Sequence, residues 1–412
     1  MNIVYNALVY TVWFLATFYV VTLMVVMFMD KKKLHEKKEW KFKADPRVTV
    51  LVPAYNEEHK IKYTIDSLRK IKYNNIEIII INDGSKDKTS QVVNACIKGD
   101  KRFKFIDRQI NKGKAASLND GIAESTGEFI ATMDADSVVE PKMVQKVLPY
   151  FHDKKVGAVT VSVLVKKPKS FLHKIFELEY VIGLSLYLKI FSFMDAVFVT
   201  PGPFSVYRKT VLEEIKGFDP GNITEDLEMA YRIQKKQYRI ENCMDAKVYT
   251  ILPPTFKQIC VQRKRWYSGA ILTVKKHRNM LLNSKYGAFG YFVFVNYMLI
   301  FLGMTLFGIS LFLAGKKLIQ NIGYYSYTGF PILDWIRQYQ FDVLSFSSIE
   351  ILGWIALLFT LTTLIIGLIF SRTDVRNKKT GAIGFMFLFF LYQLFWTIAI
   401  AAVIRGRKIK WR

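Results

Sequence analysis

Four stretches of this chain carry no charged residue: Met1–Met29, Tyr286–Gly315, Ile351–Ser371 and Thr380–Ile404. A helix that crosses the hydrocarbon of a bilayer needs ~20 predominantly apolar residues. Each block is long enough. The sequence therefore predicts a membrane protein with four crossings and excludes a soluble, collagenous, disordered or disulfide-framed one. The first block reads as an anchor rather than a cleaved leader. No basic residue precedes its apolar run, and no small-residue cleavage site follows it. It runs instead into Lys31, Lys32 and Lys33, with Lys37, Lys38, Lys41 and Lys43 beyond. Basic flanks stay on the cytoplasmic side of the plasma membrane, which puts the N-terminus outside.

The blocks divide the chain into an anchor (1–29), a polar segment of domain size (30–285) and a C-terminal membrane region (286–412). The polar segment is expected in the cytoplasm. Its cysteines, Cys96, Cys243 and Cys260, are odd in number and form no Cys-x-x-Cys pair, as in a reduced compartment. Lys and Arg number 59 against 34 Asp and Glu, a net charge of +25. Nucleic acid is not an expected partner, because no zinc-ligand, RRM-like or helix-turn-helix pattern accompanies that charge. Membrane lipids are. Basic residues near an anionic leaflet each gain ~1 kcal/mol.

The C-terminal topology is in tension with the charges. Four crossings return the C-terminus to the outside, yet Arg405–Arg412 carries five basic residues and the Arg372–Lys379 loop carries several. Either that tail departs from the basic-inside bias, or a further segment, Tyr324–Phe346, dips into the membrane.

Within 30–285, apolar β-rich runs alternate with helical patterns. Strands are expected at Val48–Val52, Ile76–Ile81, Phe103–Ile106, Phe129–Met133 and Ala158–Val165. Helices are expected at Lys60–Ile71, Thr89–Ile97, Ala115–Ala123 and Pro141–Phe151. This order argues a mostly parallel, Rossmann-like sheet with helices on both faces. Ligands of such sheets sit beyond the carboxyl ends of the strands. Those ends read Pro53-Ala54-Tyr55-Asn56-Glu57, Asn82-Asp83-Gly84-Ser85, Asn111-Lys112-Gly113-Lys114 and Asp134-Ala135-Asp136. Each alone is ordinary turn chemistry; four on one sheet edge point to a site. Ser170–Met194 and Leu252–His277 mix aromatic and basic residues. They read as amphipathic helices at the membrane surface, or as core helices with a basic solvent face.

Three constellations carry chemistry. Asp134-x-Asp136 offers two hard carboxylates suited to Mg²⁺ or Mn²⁺ and to a departing nucleotide diphosphate. Thr224-Glu225-Asp226 reads either as a helix cap with acidic first-turn residues or as a site where Asp226 takes a proton from an acceptor hydroxyl. Gln262-Arg263-Lys264-Arg265-Trp266 is a basic interfacial helix, or one in which Arg265 grips a pyrophosphate and Trp266 stacks on a sugar.

Asp83, Asp134-x-Asp136, Thr224-Glu225-Asp226 and Gln262-x-x-Arg265-Trp266, in that order, resemble the family 2 membrane glycosyltransferases. That family includes cellulose, chitin, hyaluronan and poly-N-acetylglucosamine synthases. Lys112-Gly113-Lys114-Ala115 through Leu118-Asn119 and Gly121 is most similar to the last group, as are Gly157-Ala158-Val159-Thr160 and the Glu179-Tyr180 region. The resemblance implies a GT-A α/β domain inserted between transmembrane helices, with interface helices. It implies that Tyr55, Glu57 and Asp83 hold uridine and that Lys114 lies near the phosphates. Asp134 and Asp136 would serve donor and metal, and Asp226, with Glu225 beside it, would be the catalytic carboxylate. Gln262, Arg265 and Trp266 would grip the pyrophosphate and the acceptor end.

The implied reaction is processive and inverting. It polymerises a UDP-activated sugar, N-acetylglucosamine foremost, into a β-linked polysaccharide that is exported. A non-processive transfer of one sugar to a lipid acceptor is the alternative. Gly202-Pro203-Phe204-Ser205 reads more like a hyaluronan synthase segment, or as a plain Gly-Pro turn, and Tyr267-Ser268-Gly269 also departs from the poly-N-acetylglucosamine pattern. Four crossings are few for a polysaccharide channel, so a small membrane subunit or a homo-oligomer is expected.

Overall fold

The computed structural model describes residues 2–328, 348–372, 379–385 and 387–406. They begin with α1 (Asn2–Met29), β1 (Val48–Ala54), α2 (Ile61–Arg69), β2 (Ile76–Asp83), α3 (Thr89–Ile97), β3 (Phe103–Arg108) and α4 (Lys114–Glu124). Next come β4 (Phe129–Thr132), β5 (Ser137–Val139), α5 (Met143–Val147), β6 (Val156–Val165), α6 (Phe171–Val181) and α7 (Leu188–Phe193). A π-helical stretch, Ile182–Tyr187, joins the last two. Then follow β7 (Ser205–Arg208), α8 (Lys209–Glu214), α9 (Glu225–Lys235), β8 (Arg239–Thr250) and α10 (Phe256–Lys276). The chain ends with α11 (Gly287–Thr328), α12 (Ser348–Phe370), α13 (Lys379–Phe385) and α14 (Leu388–Ile404).

The chain divides into two compact units. One comprises Met1–Val25 and Phe294–Thr363; the other comprises Val26–Val293 and Leu364–Arg412. In the first, the Tyr5 hydroxyl lies 3.1 Å from Ser310 Oγ and ties α1 to α11.

Among the described residues, three helices are long and apolar enough to cross a membrane: Ile3–Met29, Ser284–Ile322 and Ile351–Phe370. The fourth charge-free block, Thr380–Ile404, forms two shorter helices, α13 and a 17-residue α14. One side of α14 is buried against α10, with Phe395 and Ala399 fully covered. The Tyr324–Phe346 segment lies outside the described residues from 329 onward.

The second unit is built on an eight-stranded sheet, in the order β3-β2-β1-β4-β7-β6-β8-β5. Four of its seven pairings are parallel and three antiparallel. Strands β1 (VTVLVPA) and β2 (IEIIIIND) are buried at every position, which their near-continuous Val and Ile content makes favourable where helices cover both faces. All five expected strands form. Three more were not anticipated: β5, β7 and β8. Twelve-residue β8 hides its period because Asp, Asn and Glu interrupt it; its inner positions nonetheless alternate. The sheet thus has a parallel half, β3-β2-β1-β4, joined by antiparallel β7 to a half built from β6, β8 and β5.

Both expected amphipathic stretches are helical. Helix α10 starts in a capping box between Thr255 and Gln258. It buries Ile259, Ala270 and Thr273, and leaves Phe256, Val261 and Leu272 exposed.

Candidate active site

The site forms at the carboxyl ends of the parallel strands, where the sheet order reverses around β1 and β4. Asp83 closes β2 and is buried. Its carboxylate accepts hydrogen bonds from Lys112 N (2.9 Å), Gly113 N (2.8 Å) and Arg108 Nη1 (3.1 Å). These bonds fold the 109–113 loop back over the strand end. Gly84 permits that return: its φ is +69°, and a Cβ there would lie 2.7 Å from Asn111 N. Arg108, which the sequence reading did not single out, also pairs with Asp120. The 55–57 turn is fastened beside it, through Asn56 N to Ser85 Oγ (2.9 Å) and Glu57 N to Thr89 Oγ1 (2.8 Å).

Gly113 then opens α4 and delivers Lys114 to the centre. The Lys114 ammonium is 2.6 Å from Asp134 Oδ1 and 2.6 Å from Glu225 Oε1. Burial alone would favour the neutral amine, but Asp134, Glu225 and Asp226 outweigh it and hold Lys114 charged. The Asp134 main chain is fixed by its N–H to Gly202 O (3.1 Å). Gly202 closes the floor of the site, where a Cβ would stand 2.7 Å from Lys114 Nζ and 2.9 Å from Asp134 Oδ2. The Gly202-Pro203 stretch is therefore more than a turn: it leads directly into β7.

Asp226, in the first turn of α9, accepts from Gly202 N (3.3 Å) and Leu227 N (2.8 Å). Burial and the adjacent Glu225 charge push its carboxyl up to about 6, against the pull of Lys114 and Arg265. Such a carboxyl is poised to exchange a proton near neutral pH. Thr224 stands at the cap position of α9, but its hydroxyl does not cap the helix. It bonds to Asn222 Oδ1 (3.1 Å). Its side chain packs against Gly269 of α10, the close approach that brings the two helices together.

On α10, Arg265 Nη1 donates to Ile223 O (3.1 Å), just upstream of Asp226. The Arg263 guanidinium lies over the Trp266 ring, 4.6 Å from its centroid. Gln262 Oε1 is buried without a hydrogen-bond partner, an acceptor a bound ligand would satisfy. Asp136 Oδ2 lies 3.4 Å from the Lys60 ammonium, which is equally far from Glu57 Oε2. Lys60 was not foreseen; only its position one turn after Glu57 hints at it.

Among the described residues, no three or more His, Cys, Asp or Glu gather into a metal cage. The fit for a divalent ion rests on Asp134 and Asp136, two hard oxygen donors that each face a lysine ammonium here. That suits Mg²⁺ or Mn²⁺, which are commonly held by one or two carboxylates together with substrate phosphates.

The family model of Glycosyl transferase family 2 matches residues 49–216. A poly-β-1,6-N-acetyl-D-glucosamine synthase of Staphylococcus epidermidis is 27% identical over 362 residues, covering 87% of this chain and 82% of its own length. That of S. epidermidis strain RP62A is 26% identical over 415 residues, covering 97% and 93%. The S. aureus (strain COL) synthase is 33% identical over 223 residues, 54% of each chain. A solved mannosyltransferase from Pyrobaculum calidifontis, in complex with GDP-Man and Mn²⁺, shares the fold: TM-score 0.63, 18% identity, covering 97% of this chain and all of that one. Sheet, strand-end carboxylates and relatives agree: over residues 49–216 the chain carries a family 2 glycosyltransferase domain, a hexosyltransferase domain on a GT-A fold, and it resembles the poly-β-1,6-N-acetyl-D-glucosamine synthases.

Proposed function

We propose that this chain polymerises UDP-activated N-acetylglucosamine into a β-linked polysaccharide, processively, and exports it. The observation that carries the reading is the convergence of Asp134, Glu225 and Asp226 on the one buried ammonium of Lys114. Relatives that span nearly the whole chain are named for the same polymer.

In this reading Tyr55, Glu57 and Asp83 hold the uridine end. Asp83 acts chiefly by holding the 109–113 loop in place. Lys114 neutralises diphosphate charge, and Glu225 keeps Lys114 in position. Asp134 and Asp136 would hold Mg²⁺ or Mn²⁺, which supplies Lewis-acid stabilisation of the departing diphosphate. Asp226 accepts the proton of an acceptor hydroxyl as that oxygen attacks the anomeric carbon from the face opposite UDP. The C–O bond to UDP breaks, and an α-linked donor gives a β-linked product. Gln262, Arg265 and Trp266 hold the acceptor end and the pyrophosphate.

With three crossings instead of four, the topology becomes consistent. An outside N-terminus then places residues 30–285, the 372–379 loop and the Arg405–Arg412 tail all on the cytoplasmic side, as their basic residues favour. Three spans are few for a polymer conduit, so a small membrane subunit or a second copy is proposed to complete it.

The test supplies purified protein in lipid nanodiscs with Mg²⁺ or Mn²⁺ and, separately, UDP-GlcNAc, UDP-Glc and UDP-GlcA. A high-molecular-weight product from UDP-GlcNAc alone, lost in Asp226→Asn, is the expected result. A small organic-extractable product would overturn processivity in favour of single transfer to a lipid.

A further inference from the structure

One buried cluster of charged and aromatic groups beside the site has no part in the chemistry above. Arg263 sits within the Gln262-x-x-Arg265-Trp266 segment, yet its side chain turns to α6. Its Nη1 is 2.8 Å from Glu179 Oε1 and its Nη2 is 2.6 Å from Glu179 Oε2, a two-pronged pair. Arg263 is 3% exposed, and its guanidinium lies over Phe176 (4.9 Å) as well as Trp266 (4.6 Å). The hydroxyl of Tyr392, on α14, donates to the same Glu179 Oε1 at 2.7 Å. One turn on, Trp396 stacks on Tyr267 of α10, 4.5 Å between centroids and 4° from parallel. Three elements distant in sequence are thus bound through one carboxylate.

A buried ion pair is a weak source of net stability, because desolvation cancels much of the attraction. Its use lies in fixed geometry. What this one fixes is a ring: the planar guanidinium, locked by two bonds to Glu179, is the surface on which the Trp266 indole rests. Arg265, two residues on, faces the other way, to Ile223 O beside the catalytic carboxylate. The chemistry and the ring are therefore held by separate contacts.

We propose that Glu179, Arg263 and Tyr392 form a positioning clamp that fixes the Trp266 ring for the saccharide acceptor, so that the apolar helix α14 sets how tightly the growing chain end is held. The inference rests on the reading of Trp266 as an acceptor platform. None of the three residues touches the reacting atoms; they act through Trp266.

The test uses the full chain in nanodiscs with UDP-GlcNAc and a β-1,6-linked N-acetylglucosamine pentamer as primer. Tyr392→Phe keeps the ring and its packing and deletes one bond. Arg263→Lys keeps the charge and deletes the fork and the planar face. The KM for primer should rise about fivefold in Tyr392→Phe and further in Arg263→Lys, with shorter products. For Tyr392→Phe, kcat, the KM for UDP-GlcNAc and the thermal midpoint should stay within about twofold or unchanged, since the bond is spent on orientation. A wild type that saturates with primer, beside variants of unchanged primer KM, overturns the clamp. So does a joint fall of kcat, donor affinity and thermal midpoint in Tyr392→Phe, which marks a merely structural role. A wild type that is indifferent to primer overturns the acceptor reading itself, and the clamp falls with it.

Discussion

Asp226 carries the sharpest predictions at the scale of single residues. Its carboxyl is raised to about 6, and in its proposed role as base it must be ionised to accept a proton. Activity should therefore fall as pH drops through about 6, about tenfold per unit below it, in kcat/KM of the free enzyme. Lys114 opposes that rise. Replacing it, Lys114→Gln, should move the acid limb to higher pH besides lowering kcat by about 100-fold, as loss of a preorganised charge does. A limb that stays at about 6 would mean that Lys114 does not act on Asp226. Asp226→Asn should lose at least about 1,000-fold of polymerisation while leaving nucleotide affinity near wild type, measured by UDP titration. Asp83 and Asp134 were legible in the sequence because each stands at the end of a strand, and Asp226 because an acidic pair opens a helix there. Lys60 and Arg108 were not, because a lone basic side chain at the edge of a helix or strand looks the same whether or not it meets a carboxylate.

Between elements, the contact of α9 with α10 bears the load. Glu228 of α9 is fully buried. Burial works against its charge, but hydrogen bonds from His277 and Lys276, with Arg232 close by, hold it down at about 2. A carboxyl depressed in the fold contributes stability that is present above its unfolded value of 4.5 and is lost as pH falls toward 2. Glu228→Gln should therefore lower the unfolding midpoint at pH 7, by about 3 kcal/mol in stability, and flatten its dependence on acid. The Thr224–Gly269 approach makes a second case. Gly269→Ala should push the helices apart and cost most of the activity, and Thr224→Ala in the same chain, which removes both the methyl and the hydroxyl that the new Cβ would meet, should restore part of it. Failure of the second change to rescue would show that the contact does not set the spacing. Pairs like these lie far apart in sequence and have no local signature. The strands and helices they join have one, in their two-residue and 3.6-residue periods.

The whole molecule tests the number of crossings. A cysteine at Asn2 should label only from outside sealed vesicles, and one at Arg405 only from inside. Labelling of both from one face would restore an even count. The charge-free block at Thr380–Ile404 has the composition of a span, and composition registers apolar length alone. It does not register that one face is used up against α10. The sheet shows the same limit. Its parallel half was readable as runs of Val and Ile, whereas β7 is four residues long and follows a Gly-Pro pair that any turn can have. That short strand has a wider consequence. The half that carries Asp83, Lys114 and Asp134 and the half that carries Glu225, Asp226 and α10 share one sheet ladder, Phe129–Thr132 against Ser205–Arg208. Charges are shared across that seam, Lys114 on one side held by Glu225 on the other. A designer who grafts along this line therefore inherits two constraints at once, the ladder and the ion pair that crosses it.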